Sequence, residues 1–75
     1  MVYYSIRDDQ YGSVLFTGRN SISKSEALRE VKEYLLMQLD DEEAKDFEKE
    51  FNENLLVELY NYSIVRHKSK LSEVV

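Results

Sequence analysis

The chain opens on an alternation. Val2, Tyr4 and Ile6 take turns with Tyr3, Ser5 and Arg7, the period of a half-buried strand built from β-favouring side chains, which predicts a strand over residues 2–7. Asp8, Asp9, Gln10, Tyr11 and Gly12 then supply turn chemistry, and alternation resumes through Val14, Leu15, Phe16 and Thr17 as far as Gly18, which predicts a β-hairpin. From there the period lengthens. Ser23 and Glu26 have the spacing of a capping box, with Ile22 placed to staple onto Ala27. Leu28, Val31, Leu35 and Leu39 recur at helical intervals beside Tyr34, so a helix is expected over roughly residues 24–39.

Asp40 and Glu43 repeat the capping arrangement at once, with Asp41 and Glu42 at the positive end of the new helix dipole. The second helix is expected to turn Ala44, Phe47, Phe51 and Leu55 inward and to expose Glu42, Asp46, Lys49, Glu50 and Glu53. Between Leu55 and His67 two periods overlap: Leu55, Leu59 and Tyr62 fit a helix, whereas Tyr60, Tyr62 and Ile64 fit a strand. Helix to about Leu59 followed by a strand near Tyr60 to Arg66 is the preferred solution, because a lone hairpin is marginal and a third strand gives the sheet enough face to hold the helices. The fold class is α+β, a small single domain over residues 1–75 of order ββααβ, with its sheet on an antiparallel helix pair. Residues 68–75 lack a pattern and are expected to form a loose tail.

Composition sharpens this picture in two ways. The chain has 75 residues, 43% of them hydrophobic, with two glycines and no proline, which suits a folded domain with a thin core. It has no cysteine, so neither a disulfide nor a thiolate metal site can staple that core, and self-association into a dimer is the remaining device. No basic start followed by a long apolar run is present at the N-terminus and no stretch is long enough to cross a bilayer, so a cytoplasmic location and no membrane partner are expected.

Charge is distributed unevenly. The formal net charge is −5, yet residues 40–58 hold nine acids against Lys45 and Lys49. Such a field disfavours direct nucleic-acid binding and attracts basic proteins. Glu42, Asp46, Glu50 and Glu53, separated by four, four and three residues, would line one ridge at intervals of about 6 Å if the helix runs through them. That interval resembles successive phosphates on a nucleic-acid strand.

Little else offers chemistry. His67, the only histidine, lies between Arg66 and Lys68 and is expected to be a solvent-exposed side chain without a catalytic partner. The aspartate pairs lack the alternating oxygen ligands and central glycine of a calcium loop, and Gly12 and Gly18 belong to no phosphate-binding fingerprint, so no metal, cofactor or enzymatic activity is expected. The six tyrosines exceed what so small a domain buries, which favours an interface with a partner or with a second copy.

The block Asp40, Asp41, Glu42, Glu43, Asp46, Glu48, Glu50 and Glu53, in a short chain without cysteine or proline, resembles the small acidic proteins that bacteriophages make early in infection to disable host factors. Within that group it is most similar to the DNA mimics. The resemblance implies a non-enzymatic inhibitor whose partner-binding residues are Asp40, Asp41, Glu42, Glu43, Asp46, Glu50 and Glu53. The partner it implies is a basic nucleic-acid-binding protein, such as a histone-like protein of the HU type, a restriction or CRISPR effector, or a repair enzyme. The competing expectation is a small homodimeric structural or regulatory adaptor that docks through a tyrosine-rich apolar sheet face.

Overall fold

A computed structural model of the chain describes residues 1–71. Its elements run β1 (Tyr3–Asp8), β2 (Ser13–Val14), α1 (Lys24–Leu36), α2 (Asp41–Glu50), α3 (Glu53–Leu55), a π-helical turn (Leu56–Tyr60) and β3 (Tyr62–His67). The strands form one antiparallel sheet in the order β2-β1-β3, so the first strand is central and the two ends of the chain pair across six residues, from Tyr3 opposite His67 to Asp8 opposite Tyr62. The α+β class and the third strand are as the hydrophobic pattern predicts, with one more helical segment than expected.

The hairpin departs from its predicted form. β2 contributes only Ser13 and Val14, and Leu15 N–H adds one more bond to the Ile6 carbonyl at 2.9 Å. A continued ladder would set Thr17 against Tyr4, but Tyr4 exchanges its backbone bonds with Ser21, four residues later, at 2.8 Å in both directions. The intervening loop turns on Gly18 and Asn20, both at positive φ (71° and 58°), and Arg19 fastens it by donating to the carbonyls of Val14 and Leu15 at 2.6 and 3.1 Å. Phe16, alternating in the sequence as though in a strand, is left 68% exposed.

α1 begins as its capping signal requires: Ser23 Oγ accepts the Glu26 N–H at 3.1 Å. Ile22, expected to pack onto Ala27, stays exposed instead. The helix lays Ala27, Val31 and Leu35 over Ile6, and these four with Phe47 and Leu56 form the buried core. Gly18 is where loop and helix meet, for a Cβ there would lie 3.1 Å from the Ala27 carbonyl oxygen and 3.2 Å from Ile6 Cγ1.

The second helix is shorter than predicted. It stops at Glu50, where Phe51 turns extended (ψ 125°) and Asn52 becomes the cap of α3, its Oδ1 accepting the Leu55 N–H at 2.9 Å. A short polar side chain that can bond its own backbone competes with helix continuation, and the gain of a cap decides the matter here. The π-helical turn that follows ends on Asn61 in the left-handed conformation, with its N–H directed at the carbonyls of Leu56 and Val57. β3 then starts at Tyr62, two residues later than the Tyr60 boundary expected.

Residues 68–71 do not form a loose tail. Asn20 holds Leu71 by two bonds, Nδ2 to the Leu71 carbonyl at 2.9 Å and Oδ1 from the Leu71 N–H at 2.8 Å, which returns the chain to the loop before α1. The rest of the predicted tail, residues 72–75, lies outside the described residues.

Gly18→Ala is expected to destabilise the domain by about 1–3 kcal/mol, because it adds a Cβ at positive φ against the α1 backbone. Gly12→Ala, also at positive φ but with open space around it, is expected to cost less. Denaturant midpoints of the two variants check the ordering.

Candidate functional site

The carboxylates singled out in the sequence fall into two groups. Asp40, Asp41, Glu42, Glu43, Asp46 and Glu50, with Glu48, all belong to α2 or its cap and all are exposed. Among the described residues, one ion pair reaches this group, Lys32 to Glu48 at 3.9 Å. Lys32 also lies over the Phe51 ring, 5.6 Å from its centroid, and so marks the seam between α1 and the end of α2. Glu53 is the second group. The break at Phe51 and Asn52 moves it off the ridge to the start of α3, where it pairs with Lys24 at 2.8 Å, a tie between the beginnings of two helices. The predicted ridge therefore ends at Glu50, and Glu42, Asp46 and Glu50 are its length.

Two carboxyl groups at the start of α2 influence each other. The Asp40 carboxylate accepts the Glu43 N–H at 2.8 Å, and this bond with the contact to the Glu43 side chain holds its pKa below the ordinary range. Glu43 is pushed the other way, first by its side-chain bond to Asp40 and then by repulsion from that carboxylate. On acidification Glu43 is the first of the two to take up a proton.

Beside the charged face is an apolar one. Leu39, Phe47, Leu55, Leu59 and Tyr60 form a groove of about 260 Å³ between α2 and the π-helical turn, with Glu43, Asp46 and Glu50 along one rim. Phe47 is its fixed element, with Phe51 and Tyr60 rings at 5.4 and 6.4 Å. Leu59 remains 63% exposed. Hydrophobic periodicity placed Phe47 and Leu55 in the core, but the groove arises from the helix break, and only the Asn52 capping signal could have announced it.

His67 is half-buried, contrary to its predicted exposure. Its Nδ1 faces the Ser69 carbonyl at 2.7 Å and must donate, so in the neutral ring Nε2 accepts from Ser5 Oγ at 2.8 Å. Ser5 Oγ in turn accepts the Asn20 N–H at 3.1 Å. Ser5 has no exposed surface from which a nucleophile could reach a substrate, and its hydroxyl serves the Asn20 loop. The pair joins β1, β3 and the returning chain.

The six tyrosines divide between packed and exposed positions. Tyr4, Tyr60 and Tyr62 pack on the core, and Tyr3 stacks on His67 with centroids 6.0 Å apart, which leaves Tyr11 and Tyr34 as the exposed ones. Burial, with Asp8 nearby, raises the Tyr62 hydroxyl above its ordinary pKa.

No helix among the described residues is long and apolar enough to cross a membrane, and none of their histidines and carboxylates gather in a cluster fit to hold a metal ion. Comparison with models of known protein families, with curated proteins and with solved structures finds no match.

A pH prediction follows from the Asp40 and Glu43 pair. The lowered Asp40 group stabilises the fold above its unfolded pKa, and this is lost as pH falls through the folded value. The raised Glu43 group opposes folding at neutral pH, an effect relieved as pH falls. Glu43→Gln, whose amide can donate to Asp40 at every pH, is expected to raise stability at about pH 7 relative to its value at about pH 4.5, within the carboxylate titration range. Denaturation midpoints at the two pH values, compared with the unmodified chain, provide the check.

Proposed function

We propose that this domain is a non-enzymatic, protein-binding inhibitor whose helix α2 occupies the basic nucleic-acid-binding surface of a partner protein in place of a phosphate backbone. The observation that carries this proposal is the state of the seven carboxylates from Asp40 to Glu50. All seven are exposed and only Glu48 has a basic partner, at the edge of ion-pair distance, among the described residues. Like charges spaced i, i+4 cost a helix about 0.2–0.5 kcal/mol per pair, so the arrangement does not serve the stability of α2 beyond its first turn. Held on one helix, Glu42, Asp46 and Glu50 repeat at about 6 Å along its axis. Lys45 and Lys49 moderate the field without closing it, and among the described residues none of the bases Arg66, Lys68 and Lys70 forms an ion pair with an α2 carboxylate.

The alternative of a tyrosine-rich docking face draws less support, because most of those rings are committed to the core or to His67.

The test is capture from a bacterial lysate with the domain as bait, followed by challenge with duplex DNA. The expected result is a basic nucleic-acid-binding protein that duplex DNA displaces. The triple variant Asp41→Asn, Glu42→Gln, Asp46→Asn, all at exposed positions, is expected to retain at least tenfold less of it while still folded, with a melting temperature lowered by only a few degrees through the loss of two acids from the first turn of α2. Equal capture by the variant, or a captured partner indifferent to DNA, would contradict the proposal.

A further inference from the structure

The groove beside α2 combines two properties that a phosphate mimic does not need together. Its floor is apolar, from Leu39, Phe47, Leu55, Leu59 and Tyr60, and its rim carries Glu43, Asp46 and Glu50. These three are separated by three and four residues and so follow one another along the same side of α2. Among the described residues no basic side chain lines the groove: Lys45 and Lys49 are not among its lining residues and Lys32 is engaged with Glu48 and Phe51. At about 260 Å³ it falls short of the usual range for a cofactor or drug-sized ligand, and it has room for one or two side chains of a larger partner.

Leu59 sits in a helical segment whose neighbour Leu56 is 1% exposed, yet Leu59 itself is 63% exposed. The π-helical turn is the local reason. It is a departure from α-helical spacing of a kind frequent at functional sites, and here it leaves Leu59 and Tyr60 at the groove while Leu56 remains inside.

We infer that this groove is the recognition site for a basic amphipathic segment of a partner protein, one that lays a leucine-sized side chain onto Leu55, Leu59 and Tyr60 and aligns lysine or arginine with Glu43, Asp46 and Glu50. Charge complementarity selects this occupant: the rim repels an anionic membrane or a nucleic acid, and a purely apolar segment would cover three carboxylates without giving any of them a basic partner. The inference rests on the proposed function for the sign of the partner's charge, and adds that recognition has an apolar half confined to one side of α2.

Two synthetic helical peptides of equal positive charge test it, one with leucines on the face between its lysines and one with serines at those positions. Affinity is measured by fluorescence anisotropy, and the contact surface by amide and methyl shift changes in nuclear magnetic resonance. The leucine peptide is expected to bind at least tenfold more tightly, with shifts centred on Leu39, Leu55, Leu59 and Tyr60. Leu59→Gln, at an exposed position, is expected to remove that preference while leaving the melting temperature within a few degrees. Equal binding of the two peptides, or binding unaffected by Leu59→Gln, would overturn the groove assignment. In either case the triple α2 variant separates the two ideas: if it still loses lysate capture, the charged surface functions without the groove, and if it does not, the proposed function fails as well.

Discussion

The antiparallel ladder between β1 and β3 is the constraint on which the rest of the molecule depends. It joins Tyr3–Asp8 to Tyr62–His67, so these two strands are neighbours and the buried residues of the helical segments between them pack against the face that carries Ile6 and Ile64. Among the described residues only six apolar side chains are buried, and Ile6 within the ladder, opposite Ile64, is the one that the sheet contributes to them. A core this thin has little to lose. Polar contacts complete the closure: Ser5, His67 and the Ser69 carbonyl on the far face, Asn20 with Leu71 beyond them, and Asp9 accepting from Arg7 and Ser63 at the turn, each at 3.0 Å.

Much of this was legible in the chain where one period dominates. The alternation of Val2 to Arg7 gives β1, and the capping pairs Ser23 with Glu26 and Asp40 with Glu43 give the starts of α1 and α2 to the residue. The failures occur where a local polar signal overrides periodicity. Leu15, Phe16 and Thr17 alternate like a strand, but Gly18 and Asn20 at positive φ lead the chain away from β1 and back at Ser21. Phe47, Phe51 and Leu55 continue a helical stripe, but Asn52 caps a new helix and ends the old one. His67 has charged neighbours, which suggest exposure, and no local pattern reveals that pairing with β1 brings it onto Ser5.

That override at Asn52 reshapes the candidate site. A helix running through residue 53 would have carried four carboxylates in line on a continuous rod. The break instead takes Glu53 to Lys24, shortens the line to Glu42, Asp46 and Glu50, and brings Leu55, Leu59 and Tyr60 alongside α2. Charge and apolar surface are thereby adjacent, and six of the seven partner-binding residues expected from the sequence remain on one exposed element. The bases Arg66, Lys68 and Lys70 follow later in the chain, with Lys70 Nζ placed 5.9 Å from the Tyr3 ring centroid.

The most direct test of an acidic surface that substitutes for phosphates is the salt dependence of its affinity for the captured partner. Titration calorimetry or anisotropy between about 50 and 200 mM salt is predicted to show affinity falling by at least tenfold, since exposed charges are screened over a Debye length of about 8–10 Å near the upper end of that range. An affinity that stays constant across the same range would show that α2 does not bind through its charge, and would contradict the account.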